Sequence, residues 1–141
     1  MAERVTILII DDSEDDRIFY RRTLKQAPGV EYVTREADNG EDGIRSLTAE
    51  PPTCVLLDYS LPGHNGIEVL KQIRNRFLYM PVVMLTGQGN EEVAVSAMQE
   101  GAQNYIAKAN ITPESLHRVI GNAIEHCALH KRIHEQRASL E

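Results

Sequence analysis

The chain has 141 residues, of which 42% are hydrophobic and 26% charged, an ordinary balance that leaves room for one domain and hardly two. Its formal net charge is −6 and it has no large basic patch, which argues against nucleic-acid binding by this chain. No run reaches membrane-spanning length and the apolar stretch before Asp11 is too short for a signal peptide, so we expect a cytoplasmic protein that does not engage a membrane.

Five short apolar runs alternate with five helical patterns along the chain. The predicted strands are about residues 5–10, 32–37, 54–58, 82–86 and 104–107. The predicted helices are about residues 14–26, 41–48, 66–77, 91–100 and 113–139, the last with Thr112 as its N-cap. Strand–helix alternation with short links predicts an α/β fold, in which helices wrap a parallel sheet through right-handed crossovers.

Acidic residues stand at the ends of the first and third predicted strands. Asp11 and Asp12 follow the first strand, and Asp58 ends the third. Both runs are too apolar to alternate, which predicts strands buried on both faces. Because parallel strands end side by side, the three carboxylates are expected in one pocket, where their repulsion favours a bound cation. Such clusters suit Mg²⁺, a hard cation that binds carboxylates together with phosphate and water.

The fourth and fifth predicted strands end in a hydroxyl and an ammonium group. Thr86 closes the fourth strand and Lys108 follows the fifth. Taken singly, Thr86 is a common strand residue and Lys108 a common surface charge. Beside a metal and a carboxylate, however, the two groups indicate phosphoryl transfer, since cations and hydroxyls stabilise charge on phosphoryl oxygens.

The whole set resembles the receiver domain of two-component response regulators, of the chemotaxis-regulator type, over about residues 4–127. The matching positions are Asp11-Asp12, Asp58 within Leu57–Gly66, Thr86-Gly87, and Lys108 after Tyr105-Ile106-Ala107. This resemblance implies a doubly wound α/β fold. Its five-stranded parallel sheet would have the flavodoxin-like order 2-1-3-4-5, and here an extended C-terminal helix would follow.

The resemblance also implies a role for the acidic residues. Asp58 resembles the phosphoacceptor, which takes a phosphoryl group from the phosphohistidine of a histidine kinase. Asp11 and Asp12 resemble the Mg²⁺-binding pair, with Asp58 and the backbone carbonyl of Ser60 as further ligands. Such a protein is a signalling switch and not an enzyme, apart from catalysing its own phosphorylation and dephosphorylation.

Three further residues resemble parts of the family's switch. Lys108 resembles the lysine that pairs with the acceptor carboxylate and then with the phosphoryl group. Thr86 resembles the switch hydroxyl, and Tyr105 the aromatic residue that swings inward with it, although a tyrosine at a strand end can also simply pack with its hydroxyl in water. The implied partners are a sensor histidine kinase or phosphotransfer protein, and a downstream effector or a fused output module.

The chain departs from the family pattern beside the lysine. Receivers usually have a proline there, commonly after a cis peptide bond, whereas this chain has Lys108-Ala109. A cis bond before a residue other than proline costs about 2.5–4 kcal/mol, so we expect a trans bond. Ser60 and Gln88 occupy positions that in this family tend to tune the lifetime of the phosphoryl group.

The C-terminal helical pattern is longer than a receiver needs. We predict a receiver domain over residues 1–127 and a helical extension over 128–141. An a/d-like spacing supports a coiled-coil start, a linker to another module or a homodimer contact, with a frayed tail as the alternative. The spaced residues are Leu129, Ile133, Gln136 and Leu140.

Two other side-chain patterns have ordinary explanations. Histidines recur every four residues at His126, His130 and His134, which could share a metal but more often form a solvated stripe. Cys54 and Cys127 are expected to be buried free thiols of a protein in a reducing compartment.

Two competing functions stay open at this point. A phosphohydrolase of the haloacid-dehalogenase type also uses an aspartate nucleophile with Mg²⁺, but it requires Asp-x-Asp where this chain has Asp11-Asp12-Ser13. A pseudo-receiver would be an interaction module that is never phosphorylated, which the complete residue set disfavours. Whether the chain acts alone or as part of a larger protein also stays open.

Overall fold

Five strands and five helices alternate along the chain in the computed structural model, which describes residues 3–61, 63, 65–87 and 91–140. The strands are β1 (Glu3–Ile10), β2 (Val30–Ala37), β3 (Cys54–Asp58), β4 (Val82–Thr86) and β5 (Asn104–Ala107). The helices are α1 (Glu14–Lys25), α2 (Gly40–Ala49), α3 (Gly66–Arg76), α4 (Glu91–Gln99) and α5 (Pro113–Leu140). A 3₁₀ turn (Lys108–Asn110) follows β5.

The strands form one parallel sheet in the order β2-β1-β3-β4-β5, which confirms the predicted architecture. In the register of this sheet, Asp58 on β3 lies opposite Leu85 on β4. Thr86, the next residue of β4, lies opposite Ala107 on β5. The carboxyl ends of the strands therefore meet along one edge, where ligands bind in open α/β sheets.

Side chains of the central strands alternate between two apolar layers. Ile7 and Ile9 of β1 pack into the layer that includes α1 and α5. Leu8 and Ile10 pack into the opposite layer with α2, α3 and α4. All four side chains are fully buried, and β3 and β4 are buried along their whole lengths. Burial on both faces holds the strand ends in place, so the polar residues that follow them start from a rigid platform.

Element boundaries differ from the predictions by one or two residues. β2 begins at Val30 because its first residues pair with the start of β1, and the guanidinium of Arg4 lies 3.6 Å from the carboxylate of Glu31. α1 ends at Lys25, one residue before the predicted end. Gly101, just beyond α4, has a φ of 105°, a left-handed conformation that favours glycine at a helix end.

Thr112 caps α5, as the sequence predicted. Its Oγ1 accepts a hydrogen bond from the backbone N–H of Ser115 at 3.0 Å, and the Ser115 hydroxyl accepts one from the backbone N–H of Thr112 at 2.8 Å. We expect Thr112→Ala to lower the free energy of unfolding by about 1 kcal/mol, because it leaves a helix N–H without its acceptor. Urea denaturation measures the loss, with Thr112→Ser as the control that keeps the oxygen. Equal losses in both variants would contradict the capping role.

Candidate functional site

Three carboxylates from the ends of β1 and β3 lie together at the carboxyl edge of the sheet. Asp11, Asp12 and Asp58, here called the acidic pocket, each offer an oxygen, and these oxygens lie within 4.8 Å of one another. Asp11 and Asp58 are buried, at 0% and 3% exposure, whereas Asp12 is exposed. Within the described residues no other group of three or more acidic, histidine or cysteine side chains meets in this way. The acidic pocket is therefore the place where a divalent cation fits this chain.

Burial and the neighbouring carboxylate of Asp11 both make Asp58 a weaker acid than usual. Burial raises the pKa of the Asp58 carboxyl to about 6, and the charge of Asp11 adds to the rise. Lys108 and the backbone N–H of Ser60, which lies 3.3 Å from Asp58 Oδ1, oppose the rise without cancelling it. The three carboxylates of the acidic pocket outnumber the one ammonium group of Lys108, so the ionised pocket carries excess negative charge that a cation would offset.

Lys108 brings one ammonium group into the acidic pocket from the 3₁₀ turn after β5. Its Nζ lies 3.2 Å from Asp58 Oδ2 and 3.3 Å from Asp11 Oδ2. A third carboxylate, that of Asp16 on α1, is 3.0 Å away. Burial lowers the pKa of this ammonium, but the hydrogen bond to Asp16 and the charges of Asp58 and Asp11 outweigh it, so the pKa lies above its ordinary value. Lys108 is therefore a permanent cation in the site.

The Lys108–Ala109 peptide bond is trans, as the sequence analysis expected. No cis bond occurs within the described ranges. The backbone carbonyl of Lys108 accepts a hydrogen bond from Ile111 N–H at 3.4 Å, which closes the short turn. The trans bond still delivers the ammonium to the acidic pocket.

Helix α1 supports the site with residues that the sequence analysis did not single out. The buried Tyr20 donates its hydroxyl to Asp11 Oδ2 at 3.1 Å, and the backbone N–H of Ser13 donates to Asp11 Oδ1 at 2.9 Å. Burial, together with Asp11, raises the pKa of the Tyr20 hydroxyl, so it stays a donor. Asp16 and Tyr20 are four residues apart and so share one face of α1, but this spacing alone does not tell which part of the sheet that face meets.

A glycine lets α3 approach the end of β3. The backbone N–H of Gly66 donates to the carbonyl of Tyr59 at 2.6 Å. A Cβ at Gly66 would lie 2.5 Å from the backbone oxygen of Asp58 and 2.7 Å from Tyr59 Cα. The position of Asp58 therefore depends on the absence of a side chain at residue 66.

An open cleft gives access to the acidic pocket from the β3–α3 side. Its volume is about 620 Å³, and Asp12, Ser60 and Asn65 are among its lining residues. Ser60 is exposed and forms an isolated antiparallel bridge with Asn65. The cleft therefore reaches the acidic pocket at the exposed Asp12.

The two predicted switch residues lie on the β4–β5 side. Thr86 is buried at the end of β4, whereas the Tyr105 side chain on β5 is 46% exposed. Both residues line a second cleft of about 870 Å³, together with Gly87 and Arg118 of α5. In this structure the tyrosine is thus turned outward, with space beside it.

The other patterns singled out in the sequence lie away from the site. The rings of His126 and His130 on α5 have centroids 4.4 Å apart, and that of His134 is 6.5 Å from His130. All three are exposed, which agrees with a solvated stripe. Both cysteines are free and buried, as predicted, and burial raises the pKa of each thiol.

Gln88, and positions 62 and 64 of the matching segment Leu57–Gly66, lie outside the described residues. The same holds for the side chain of Leu140. Within the part of the chain that the structure describes, no helix has both the length and the apolar character needed to cross a lipid bilayer.

Comparison with known sequences relates residues 7–121 to a family model, that of the response regulator receiver domain. The nitrate/nitrite response regulator NarL of Escherichia coli K12 is 36% identical over 121 residues, which cover 86% of this chain and 55% of NarL. The chemotaxis protein CheY1 of Helicobacter pylori J99 is 35% identical over 113 residues, covering 78% of this chain and 89% of CheY1. The chain thus spans about half of NarL but most of CheY1.

Solved structures show the same relationship. The receiver domain of NtrX from Brucella abortus superposes with a TM-score of 0.77 at 32% identity, covering 84% of this chain and 98% of the receiver. A response regulator receiver domain protein from Clostridium thermocellum gives a TM-score of 0.76 at 31% identity, with 89% and 98% coverage. The likeness in both sequence and structure extends over nearly the whole length of these two domains.

Proposed function

Because the chain belongs to the response regulator receiver domain family of two-component signalling, we propose that Asp58 is its phosphoacceptor. The observation that carries this assignment is the contact of Asp58 Oδ2 with Lys108 Nζ at 3.2 Å, inside a cluster of three carboxylates. Asp58 is buried at the end of a central strand, and the cleft beside β3 is lined by residues next to it, among them Asp12, Tyr59 and Ser60. The site around Asp58 thus combines a fixed nucleophile, an adjacent cation and a neighbouring cleft for the donor.

The acidic pocket fits Mg²⁺ as the cofactor. Asp11, Asp12 and Asp58 supply carboxylate oxygens, which this hard cation prefers, and the backbone carbonyl of Ser60 is the fourth proposed ligand. The balance of charges supports this fit, because three carboxylates face the single ammonium group of Lys108. Mg²⁺ bound there would offset charge on the phosphoryl oxygens during transfer.

In the proposed reaction, one Asp58 carboxylate oxygen attacks the phosphorus atom of a phosphohistidine. The new oxygen–phosphorus bond forms as the phosphorus–nitrogen bond breaks, and the departing imidazole nitrogen keeps the electron pair and takes a proton from water. Lys108 pairs first with the carboxylate and then with the phosphoryl oxygens, and the Thr86 hydroxyl donates to one of them. Tyr105 then turns inward beside Thr86, which changes the surface at β4, β5 and α5.

Incubation with acetyl phosphate and Mg²⁺ tests the assignment. We expect intact mass to rise by one phosphoryl group per chain, and EDTA to prevent the rise. Borohydride reduction of the acyl phosphate should convert residue 58 to homoserine, which peptide mass spectrometry locates. Labelling at another aspartate, or no labelling of a folded sample, would refute the assignment; the second result would instead support a pseudo-receiver.

The switch can be separated from the chemistry at Thr86. Thr86→Ala removes the hydroxyl that would donate a hydrogen bond to a phosphoryl oxygen, but it leaves Asp58, Lys108 and the acidic pocket in place. We expect phosphorylation within about threefold of wild type, and loss of the inward movement of Tyr105. Fluorotyrosine NMR at Tyr105 measures that movement, and Thr86→Ser is the control that keeps the hydroxyl. Inward movement in Thr86→Ala would exclude Thr86 from the switch.

The alternative of a phosphohydrolase of the haloacid-dehalogenase type is not favoured. Its Asp-x-Asp requirement conflicts with Asp11-Asp12-Ser13, and the family match is to receivers. The two functions differ in turnover: a hydrolase releases many phosphates per chain, whereas the proposed function stops at one phosphoryl group apart from slow self-hydrolysis.

The C-terminal end of α5 supports an output role beyond residue 127. Leu129 and Ile133 are 54% and 39% exposed, one helical turn apart on the same helix. We assign residues 128–141 to an extension, helical as far as Leu140 in the described residues, that joins a fused output module or pairs with a second copy. Sedimentation with and without phosphodonor tests the pairing, and Leu129→Glu with Ile133→Glu should keep the protein monomeric in both conditions.

A further inference from the structure

One of the three carboxylates around Lys108 lies outside the set proposed to bind metal. Asp11 and Asp58 belong to the acidic pocket, whereas Asp16 is on α1 and does not. Yet the shortest of the three contacts is the one to Asp16, whose Oδ2 lies 3.0 Å from Lys108 Nζ. The lysine is therefore shared between the reactive group and a residue with no part in the chemistry.

The backbone of Asp16 is held in place by the start of α1. Ser13 caps this helix, and its Oγ accepts a hydrogen bond from the backbone N–H of Asp16 at 3.2 Å. One turn further along, Tyr20 is buried and donates to Asp11 Oδ2. The same face of α1 thus contacts both Lys108 and Asp11, so its two polar side chains act on adjacent parts of the site.

The contacts of Lys108 show why its ammonium group needs a carboxylate to fix its position. The residue is in a three-residue 3₁₀ turn, is followed by Ala109, and keeps 28% of its side chain exposed. Its flexible stem does not by itself fix the ammonium, so the carboxylates determine where the charge sits. A divalent ion held by Asp11 and Asp58 would compete for two of those carboxylates and would repel the ammonium. The Asp16 carboxylate would stay available to the lysine.

We propose that Asp16 is a positioning residue that holds the Lys108 ammonium beside Asp58 when the acidic pocket is loaded with metal. The inference rests on the proposed function for its effect on phosphorylation, but the contact itself can be tested without it. Loss of Asp16 lets the lysine swing into solvent, and the developing charge on the phosphoryl oxygens then lacks its nearest protein cation.

The chain offers a matched control for this proposal. Glu14, Asp15 and Asp16 all lie in the first turn of α1, where acidic side chains also stabilise the helix dipole. Asp15 is exposed and lies next to Asp16, so Asp15→Asn removes the same charge from the same turn. Any difference between Asp15→Asn and Asp16→Asn therefore reports the contact with Lys108 and not the helix.

The first measurement is independent of phosphorylation. Side-chain NMR of Lys108, assigned with Lys108→Arg, follows the two Hε signals in Mg²⁺-free and Mg²⁺-saturated protein. We expect distinct, ordered signals in wild type and in Asp15→Asn under both conditions. In Asp16→Asn the signals should merge once Mg²⁺ is added, and Asp16→Glu should restore them. An ordered Lys108 in Mg²⁺-saturated Asp16→Asn would overturn the proposal.

The second measurement is the initial rate of phosphorylation by acetyl phosphate at saturating Mg²⁺. We expect roughly a tenfold loss for Asp16→Asn and less than twofold for Asp15→Asn. In a Lys108→Ala background, Asp16→Asn should cause no additional loss, because its effect passes through the lysine. An equal loss with and without Lys108 would overturn the proposal. If wild-type Asp58 accepts no phosphoryl group, the proposed function fails, and the NMR result still decides whether Asp16 holds the lysine.

Discussion

Asp58→Asn is expected to abolish phosphorylation and, at the same time, to raise the free energy of unfolding of the Mg²⁺-free protein. The first effect follows from loss of the nucleophilic oxygen, because an amide is not a substitute for a carboxylate in acyl phosphate formation. The second follows from the raised pKa of the buried carboxyl. A rise from 3.8 to about 6 corresponds to at most about 3 kcal/mol of destabilisation by the ionised group.

The pH dependence of this second effect has a definite sign. Because the pKa of Asp58 is higher in the folded than in the unfolded state, the folded protein binds the proton more tightly. The destabilisation by ionised Asp58 is therefore fully present above about pH 6 and disappears as the pH falls below about 4. The stability difference between variant and wild type should be largest near pH 8 and should close toward pH 4.

Urea denaturation in EDTA at several pH values measures that difference, and intact mass measures phosphorylation. Asp15→Asn serves as the control, since it removes an exposed carboxylate from the same side of the protein. Added Mg²⁺ should shrink the difference, because a bound cation relieves the repulsion that the variant has already lost. If the difference in the free energy of unfolding changed with neither pH nor Mg²⁺, the charge of Asp58 would not be its source.

Gly66→Ala is expected to have the largest structural effect of any single added methyl group near the site. Its Cβ would lie 2.5 Å from the backbone oxygen of Asp58, and backbone atoms cannot turn aside as a flexible side chain can. Either α3 or the end of β3 must move, which we expect to lower the free energy of unfolding by about 2–3 kcal/mol. Phosphorylation should fall at least about tenfold, because the displaced residue is the acceptor itself.

The same substitution at Gly121 should have the opposite sign. Gly121 is inside α5, and no heavy atom of another element in the described part of the chain would lie within 4 Å of an added Cβ. Gly121→Ala should therefore raise the free energy of unfolding by about 0.5–1 kcal/mol through helix propensity, and should not alter phosphorylation. Urea denaturation and phosphorylation rates should be measured for both Gly66→Ala and Gly121→Ala. Stabilisation by both would show that α3 adjusts freely around Asp58.

The sequence was sufficient for the sheet and for the strand ends. Continuous apolar runs, such as that before Asp58, define buried parallel strands, and the residue after each run must lie at the carboxyl edge. Asp11, Asp12 and Lys108 could thus be predicted to meet, and the structure brings them together. The trans bond after Lys108 also followed from chemistry, through the cost of a cis bond before alanine.

The contacts by which α1 supports the site could not be predicted from the sequence. Asp16 and Tyr20 stand in a run of charged and aromatic residues that is typical of any exposed helix start. Whether that face of the helix meets Lys108 and Asp11 depends on how α1 packs on the sheet, which is set by distant apolar contacts. The close approach at Gly66 was equally hidden from the sequence, since the backbone oxygen that an added Cβ would meet belongs to Asp58, eight residues away.

The short connection after β5 lies at one end of the continuous helix α5, so a change of angle there would displace the far end of the helix most. α5 has 28 residues and so extends about 42 Å, and its capped start lies five residues beyond Lys108. A tilt of about 5° at that start displaces the far end of such a rod by about 3–4 Å. A tilt of that size would therefore move the exposed Leu129 and Ile133 farther than the start of the helix.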